Sequence, residues 1–184
     1  MLEKSRAIKC PNIAYHLVGM KKIQQILAQP GVVERYLSAE NSVLLRKSFT
    51  GLYSLEKDSA AFSLIKSNPS KFVMKPQREG GGNNIYGQDI LPYITAEAEK
   101  NGLDEFILMD LINAPTRNSI MFRSDVAVET KSVSELGIFG VWLSNGRNVI
   151  INEAAGHLLR TKPSDSNEGG VAAGFSVLDS PALF

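Results

Sequence analysis

Three consecutive glycines, Gly80-Gly81-Gly82, stand between Glu79 and Asn83-Asn84, a few residues after Lys75. Without Cβ atoms the backbone can approach a bulky anion closely and turn its N–H groups toward it. Lys75 supplies a compact positive charge suited to a phosphate, and Arg78 a planar fork of donors. Glu79 is out of place in a pure anion site. A divalent cation bridging its carboxylate to phosphate oxygens removes the conflict, because Mg²⁺ is commonly held by one or two carboxylates plus phosphates. The ordinary alternative is a flexible surface hairpin, the common fate of a Gly/Asn cluster. The loop matches neither G-x-x-x-x-G-K-[ST] nor G-x-G-x-x-G, so P-loop ATPases and dinucleotide-binding Rossmann enzymes are unsupported.

Other groups are weaker alone. In Arg160-Thr161-Lys162 the cations alternate, so in a strand they project from one face together. Followed by Gly169-Gly170, they suit a carboxylate and a phosphate; the alternative is a solvated basic face. Glu135 opens the apolar run Glu135–Leu143, where an isolated acid is ordinarily solvated. Met109-Asp110-Leu111-Ile112 ends an apolar run whose backbone suits an adenine edge, against the alternative of a core strand. His16 and His157 lack neighbouring metal-ligand types. Cys10 has no local His or acidic partner and reads as structural.

The elements that must position these groups follow from periodicity. Met20–Ala28 predicts a helix with Ile23, Ile26 and Leu27 on one face and Lys21, Lys22, Gln24 and Gln25 outward, ended by Pro30-Gly31. A short helix over Val32–Leu37 and another over Ser42–Leu55, turning at Gly51, come next. Beyond Asn68-Pro69, Lys71–Lys75 is a short strand that empties into the glycine loop. Gln88–Lys100 reads as a helix with Gly102 at its C-terminal side and Pro92 tolerated near its start. Phe106–Ile112 and Val126–Thr130 read as strands. Glu135–Leu143 and Asn148–Asn152 pair about Asn145-Gly146 as a hairpin. The mixture predicts an α+β fold with an antiparallel sheet.

The 184 residues imply one domain or a small pair. Lys+Arg number 20 and Asp+Glu 19, a net charge of +1 that argues against nucleic acid as partner. The 43% apolar and 21% charged content is that of an ordinary globular chain. No apolar run approaches the roughly 18 residues of a membrane span, and Met1–Arg6 lacks a secretory stretch. A single cysteine points to a reducing compartment. The expectation is a cytoplasmic protein with no membrane and no nucleic-acid partner.

The run Lys75-Pro76-Gln77-Arg78-Glu79-Gly80-Gly81-Gly82-Asn83-Asn84-Ile85-Tyr86-Gly87 resembles the glycine-rich lid loop of eukaryotic-type glutathione synthetase, an ATP-grasp ligase. Ser134–Gly140, His157–Lys162 and Gly169–Gly174 resemble further stretches of that family in the same order. Ile8-Lys9-Cys10-Pro11 and Lys21-Lys22 match upstream, so the similarity runs over essentially the whole chain. The resemblance implies an ATP-grasp-like α+β fold of antiparallel sheets with flanking helices, incomplete relative to the full family fold. Residues 49–130 would form the glycine-rich lid subdomain, between two pieces of the main body, 1–48 and 131–184. ATP contacts are implied for Lys21, for Lys75 through Asn84, and for Tyr86, Met109, Asp110, Leu111, Ile112, Glu135 and Lys162. Glu79 would be a Mg²⁺ ligand in a site of one or two ions, and Arg160, with the backbone of Val171 and Ala172, would hold the dipeptide. Glu168 stands where the family has an Asp near the nucleotide, the same charge moved outward by one methylene.

The implied reaction joins γ-glutamylcysteine to glycine through an acyl phosphate, with ATP as co-substrate. It needs no catalytic nucleophile, only positioning and charge neutralisation, and a lid that excludes water. The implied partners are these small molecules, and full-length members resemble homodimers. The chain is under half the length of a full member, with Met1 where the family is mid-chain. It is therefore expected to supply the ATP-binding half, to be inactive in isolation, and to expose strand edges and apolar faces. A non-catalytic nucleotide-binding or association module, and an ATP-grasp ligase with another amino-acid acceptor, are the alternatives.

Overall fold

The structure, a computed structural model, describes residues 2–56, 59–78, 82–97, 103–123 and 125–181. Two compact units divide the chain: residues 1–79 with 83–112, and residues 80–82 with 113–184. The units part at 112/113, whereas the sequence reading set its breaks at 48/49 and 130/131. Each unit carries one four-stranded sheet, and every pairing between strands is antiparallel.

In the first unit the sheet runs β1-β4-β2-β3, where β1 is Leu52–Ser54, β2 Phe72–Pro76, β3 Ile85–Tyr86 and β4 Phe106–Asp110. Strand alternation puts Phe72, Met74, Phe106, Leu108 and Ile85 on one face. The described α-helices of this unit are α1 (Ile13–Val18), α2 (Lys21–Ala28), α3 (Ala39–Arg46), α4 (Ala61–Ser67) and α5 (Ile90–Glu97). Against the sheet pack α4 and α5, which supply Ala61 with Ile65 and Ile90 with Ile94 at four-residue spacing. Ile65, Met74, Ile90 and Leu108 are fully buried, and each such side chain contributes about 1.5–3 kcal/mol by leaving water. Pro92 sits in the first turn of α5, where its missing N–H costs little. Residues 98–100 of the expected helix, and Gly102, lie outside the described residues.

Two helices differ from the sequence reading. The one expected over Ser42–Leu55 is α3, Ala39–Arg46, capped by the Ser38 hydroxyl, which accepts from the Asn41 N–H. It stops at Arg46 because Leu52–Ser54 pairs with β4 instead. The Val32–Leu37 helix is a single 3₁₀ turn, Val33–Arg35. In α2 (Lys21–Ala28) the inward face also differs: Gln25 is buried and Ile26 is exposed. Lys21, Gln25 and Ala28 share one face, and the ties that Lys21 and Lys22 make at the start of the helix turn that face inward.

Arg46 fastens this region. Its guanidinium donates to the carbonyls of Ala28 and Gln29 at the end of α2, both at 3.0 Å, and as a fork to Glu34 at 2.6 and 2.8 Å. The fork holds the Glu34 carboxyl down at about 2.

The second unit is the sheet β5-β6-β7-β8: Arg117–Arg123, Val126–Asn145, Asn148–Pro163 and Val177–Asp179. The runs read separately as Val126–Thr130 and Glu135–Leu143 are one 20-residue strand. The hairpin turn uses Gly146 and Arg147 rather than Asn145 and Gly146. Gly146 has φ +60°, as the first position of a II′ turn requires. Apolar side chains on both faces of the hairpin are open to solvent, among them Leu136, Ile138, Trp142 and Leu143.

Replacing Arg46 by Met is expected to raise the Glu34 carboxyl from about 2 toward 4.5, followed by carbon-detected NMR titration. Because the folded value is the depressed one, the ion pair's contribution is present above 4.5 and is lost as the pH falls toward 2.

Candidate functional site

In the first unit, the face of the sheet opposite the core carries Lys75, Met109 and Tyr86, because Val73 pairs with both Met109 and Tyr86. Lys75, half-buried, is one residue from the end of β2, so the chain leaves the sheet directly after it. Two backbone-directed bonds fix the root of the loop that follows. The Gln77 N–H donates to the Glu105 carbonyl at 2.9 Å, and the Lys21 ammonium donates to the Arg78 carbonyl at 3.0 Å. The Gln77 side-chain oxygen accepts the Lys22 N–H at 3.1 Å. Arg78 projects to solvent with its guanidinium 4.0 Å from the Glu105 carboxylate. Asn84 donates from Nδ2 to the Tyr86 hydroxyl at 3.2 Å. The expected contacts Glu79, Gly80 and Gly81 lie outside the described residues; Pro76 ends β2, and Gly82, with φ +84°, and exposed Asn83 follow.

Lys21 and Lys22 occupy the first turn of α2, the positive end of the helix dipole, where cations are disfavoured by a few tenths of a kcal/mol each. The Arg78 carbonyl and the Glu56 carboxylate, 3.4 Å from the Lys22 ammonium, hold them there. Two cations and a helix N-terminus beside a glycine-rich loop make a place that favours an anion.

Met109–Ile112 divides its work between the two faces. Met109 faces with Lys75, while the Asp110 side chain faces the core with Phe72. Its carboxylate accepts the Gly51 N–H at 3.0 Å and the Tyr53 hydroxyl at 3.2 Å. Burial, and then the adjacent carboxylate charge, push the Tyr53 phenol above its ordinary value. The Asp110 side chain is thus structural, leaving only its backbone for a ligand. Leu111 and Ile112 follow the strand and are exposed.

In the second unit Glu135 and Arg160 are directly opposed across β6 and β7 and form an ion pair. Lys162 lies on the same face, opposite Val133. Its ammonium donates to the Ser166 carbonyl at 2.6 Å, and the Ser166 hydroxyl donates to the Glu168 carbonyl at 3.0 Å, so Lys162 braces the loop that carries half-buried Glu168. On the other face, Thr161 donates to the Asp179 carboxylate at 2.8 Å and lies 2.9 Å from the Ser134 hydroxyl. Gly170 to Ser176 closes a turn in which the Gly174 N–H donates to the Val171 carbonyl and those of Phe175 and Ser176 to Gly170. Among the described residues, the N–H groups of Val171 and Ala172 take no part in that internal bonding.

Sequence reasoning missed Lys22, Gly51, Tyr53 and the Ser134–Thr161–Asp179 cluster. Only the alternation of Thr161 between two cations signalled the last. Among the described residues there is no group of three or more His, Cys, Asp or Glu side chains able to hold a metal ion. Cys10 is exposed and free. No described helix is long and apolar enough to cross a membrane.

Comparison with known proteins shows the family of the whole stretch. The family model of the eukaryotic glutathione synthase ATP-binding domain matches residues 3–183. Over 183 residues the chain is 50% identical to the chloroplastic glutathione synthetase of Solanum lycopersicum, covering 98% of this chain and 33% of that protein. It is 48% identical to the glutathione synthetase of Dictyostelium discoideum, covering 100% of this chain and 40% of that one. The solved structure of a glutathione synthetase-like effector from Globodera pallida, in its apo form, superposes with a TM-score of 0.72 at 26% identity, over 100% of this chain and 38% of that one. The α+β, ATP-grasp-like reading of the fold agrees with that likeness. The chain spans 33% to 40% of the length of these two curated relatives.

A Cβ on Gly51 would lie 2.2 Å from the Asp110 carboxylate and 2.4 Å from the Tyr53 hydroxyl. Gly51→Ala is therefore expected to displace Asp110 and lower stability by about 1–3 kcal/mol in denaturant unfolding.

Proposed function

This chain belongs to the eukaryotic glutathione synthase family, and from that premise we propose that it is the ATP-binding part of a ligase that joins γ-glutamylcysteine to glycine. The observation that carries the reading is the passage from the end of β2 into three glycines, with Lys21 fastened to the loop root, in a stretch whose family match is named for ATP binding. Lys21, Lys75 and the loop through Asn84 take the phosphates. Tyr86, Met109 and the backbone of Asp110 to Ile112 take the adenine side. Glu135, Lys162 and Glu168 complete the nucleotide contacts.

Mg²⁺, as one or two ions, would be held in this chain by Glu79 and would neutralise charge on the nucleotide's phosphates. Arg160 and the N–H groups of Val171 and Ala172 hold the dipeptide. Its glycyl-accepting carboxylate attacks the γ-phosphorus and releases ADP. The amine of glycine then attacks the acyl carbon, phosphate leaves with the bonding pair, and the amine loses a proton. The work asked of this chain is orientation and charge neutralisation. In that ligase residues 49–130 act as the lid, and 1–48 and 131–184 belong to the main body. The cytoplasm, where a free exposed Cys10 stays reduced, suits it.

A second reading, a nucleotide-binding module that works by association, draws on the exposed apolar hairpin. Glutathione formation from γ-glutamylcysteine, glycine and MgATP separates the two. The ligase reading expects turnover when this stretch sits in a full-length protein and none from the 184 residues alone; no turnover in either form favours the module. Calorimetry with MgATP tests the loop: Gly81→Val is expected to weaken binding about tenfold or more, because a β-branched side chain blocks backbone approach. In the full-length ligase, Arg160→Ala is expected to raise the dipeptide KM about tenfold or more while ATP's changes under about threefold.

A further inference from the structure

We infer that Gln77 is a positioning residue: its carboxamide caps α2 from across the loop root and so holds the Lys21 ammonium where the glycine-rich loop begins. The inference rests on the reading of Lys21 as a phosphate contact. A helix starts with N–H groups that have no intrahelical partner, and a side-chain oxygen at the N-cap ordinarily satisfies one of them. The N-cap of α2 is Met20, which makes no side-chain cap bond. The Ile23 and Gln24 N–H groups turn back to the Met20 carbonyl, at 3.0 and 3.2 Å. Lys22, second in the helix, donates instead to the Gln77 side-chain oxygen, 55 residues along the chain.

The amide's orientation is set by its partner, since the Lys22 N–H donates and so requires the acceptor Oε1, not Nε2, opposite it. The Nε2 group is then buried with no partner among the described residues. The Gln77 backbone is itself pinned to Glu105, so the cap is attached to β4's approach rather than to a free loop. The consequence falls on the next residue in each direction. Lys21 precedes Lys22, Arg78 follows Gln77, and the Lys21 ammonium donates to the Arg78 carbonyl. The cap and the lysine tie are two rungs of one ladder, and removing the first loosens the second.

The test is amide hydrogen exchange without ligand, together with calorimetric MgATP titration, on the 184-residue chain. The variants are Gln77→Met, Gln77→Glu, Lys21→Met and the double Gln77→Met/Lys21→Met. Met keeps the length without an acceptor, and Gln77→Leu serves the same purpose if Gln77→Met does not fold. Glu keeps an acceptor and is read by exchange alone, because its charge would repel phosphate. The Lys22 amide is expected to exchange about tenfold faster in Gln77→Met and within about threefold of wild type in Gln77→Glu. Lys21→Met is expected to weaken MgATP binding about tenfold in the wild-type background and under about threefold in the Gln77→Met background, because there the lysine has already lost its place. Equal losses in both backgrounds, or unchanged Lys22 exchange in Gln77→Met, overturn the positioning role alone. A wild-type chain that binds no MgATP overturns the phosphate reading and this inference with it.

Discussion

The first turn of α2 has an orphan N–H and no side chain of its own to satisfy it. The root of the glycine-rich loop supplies the acceptor. A cap of this kind contributes about 1 kcal/mol. Its larger effect is geometric, because it fixes two segments more than fifty residues apart so that the cations of one face the backbone of the other. The β2–β4 register places Lys75 one residue short of the strand end, and the pairing of Gln77 with Glu105 extends that register past it.

The second unit reaches the same end by other means. Its cations sit on a strand, and the register of β6 with β7 decides what they oppose. Arg160 meets Glu135, and Lys162 reaches past the strand to the Ser166 carbonyl. Thr161, between them, is bonded to Asp179 and lies within hydrogen-bond reach of Ser134 on the opposite face, which resists the one-residue slip that would exchange the faces. The hydrogen bonds on one face of the sheet therefore help to aim the basic residues on the other.

Much of this was legible in the sequence, and unevenly. The strand before the glycines, the alternation of Arg160 and Lys162 and the β6–β7 hairpin follow from local period and turn chemistry. The fold class follows from their mixture. What local pattern could not show was pairing at a distance. Leu52–Ser54 looks like the end of a helix until β4 is there to pair with it. Gln25 looks like a solvent residue until the Lys21 and Lys22 ties rotate α2. Asp110 gives no local sign of what its carboxylate does until Gly51 and Tyr53 claim both of its oxygens. In the first two cases a long-range hydrogen bond overrides a short-range tendency.

The central claim is that the lysines at the loop root grip the phosphates of a nucleotide. An adenosine acyl-phosphate reagent, which transfers its acyl group to lysines beside a bound nucleotide's phosphates, tests it directly when the acylated peptides are mapped. The account predicts acylation at Lys21 and Lys75 that excess MgATP suppresses. Acylation confined to exposed lysines such as Lys47, Lys66 and Lys131, and indifferent to MgATP, would contradict it.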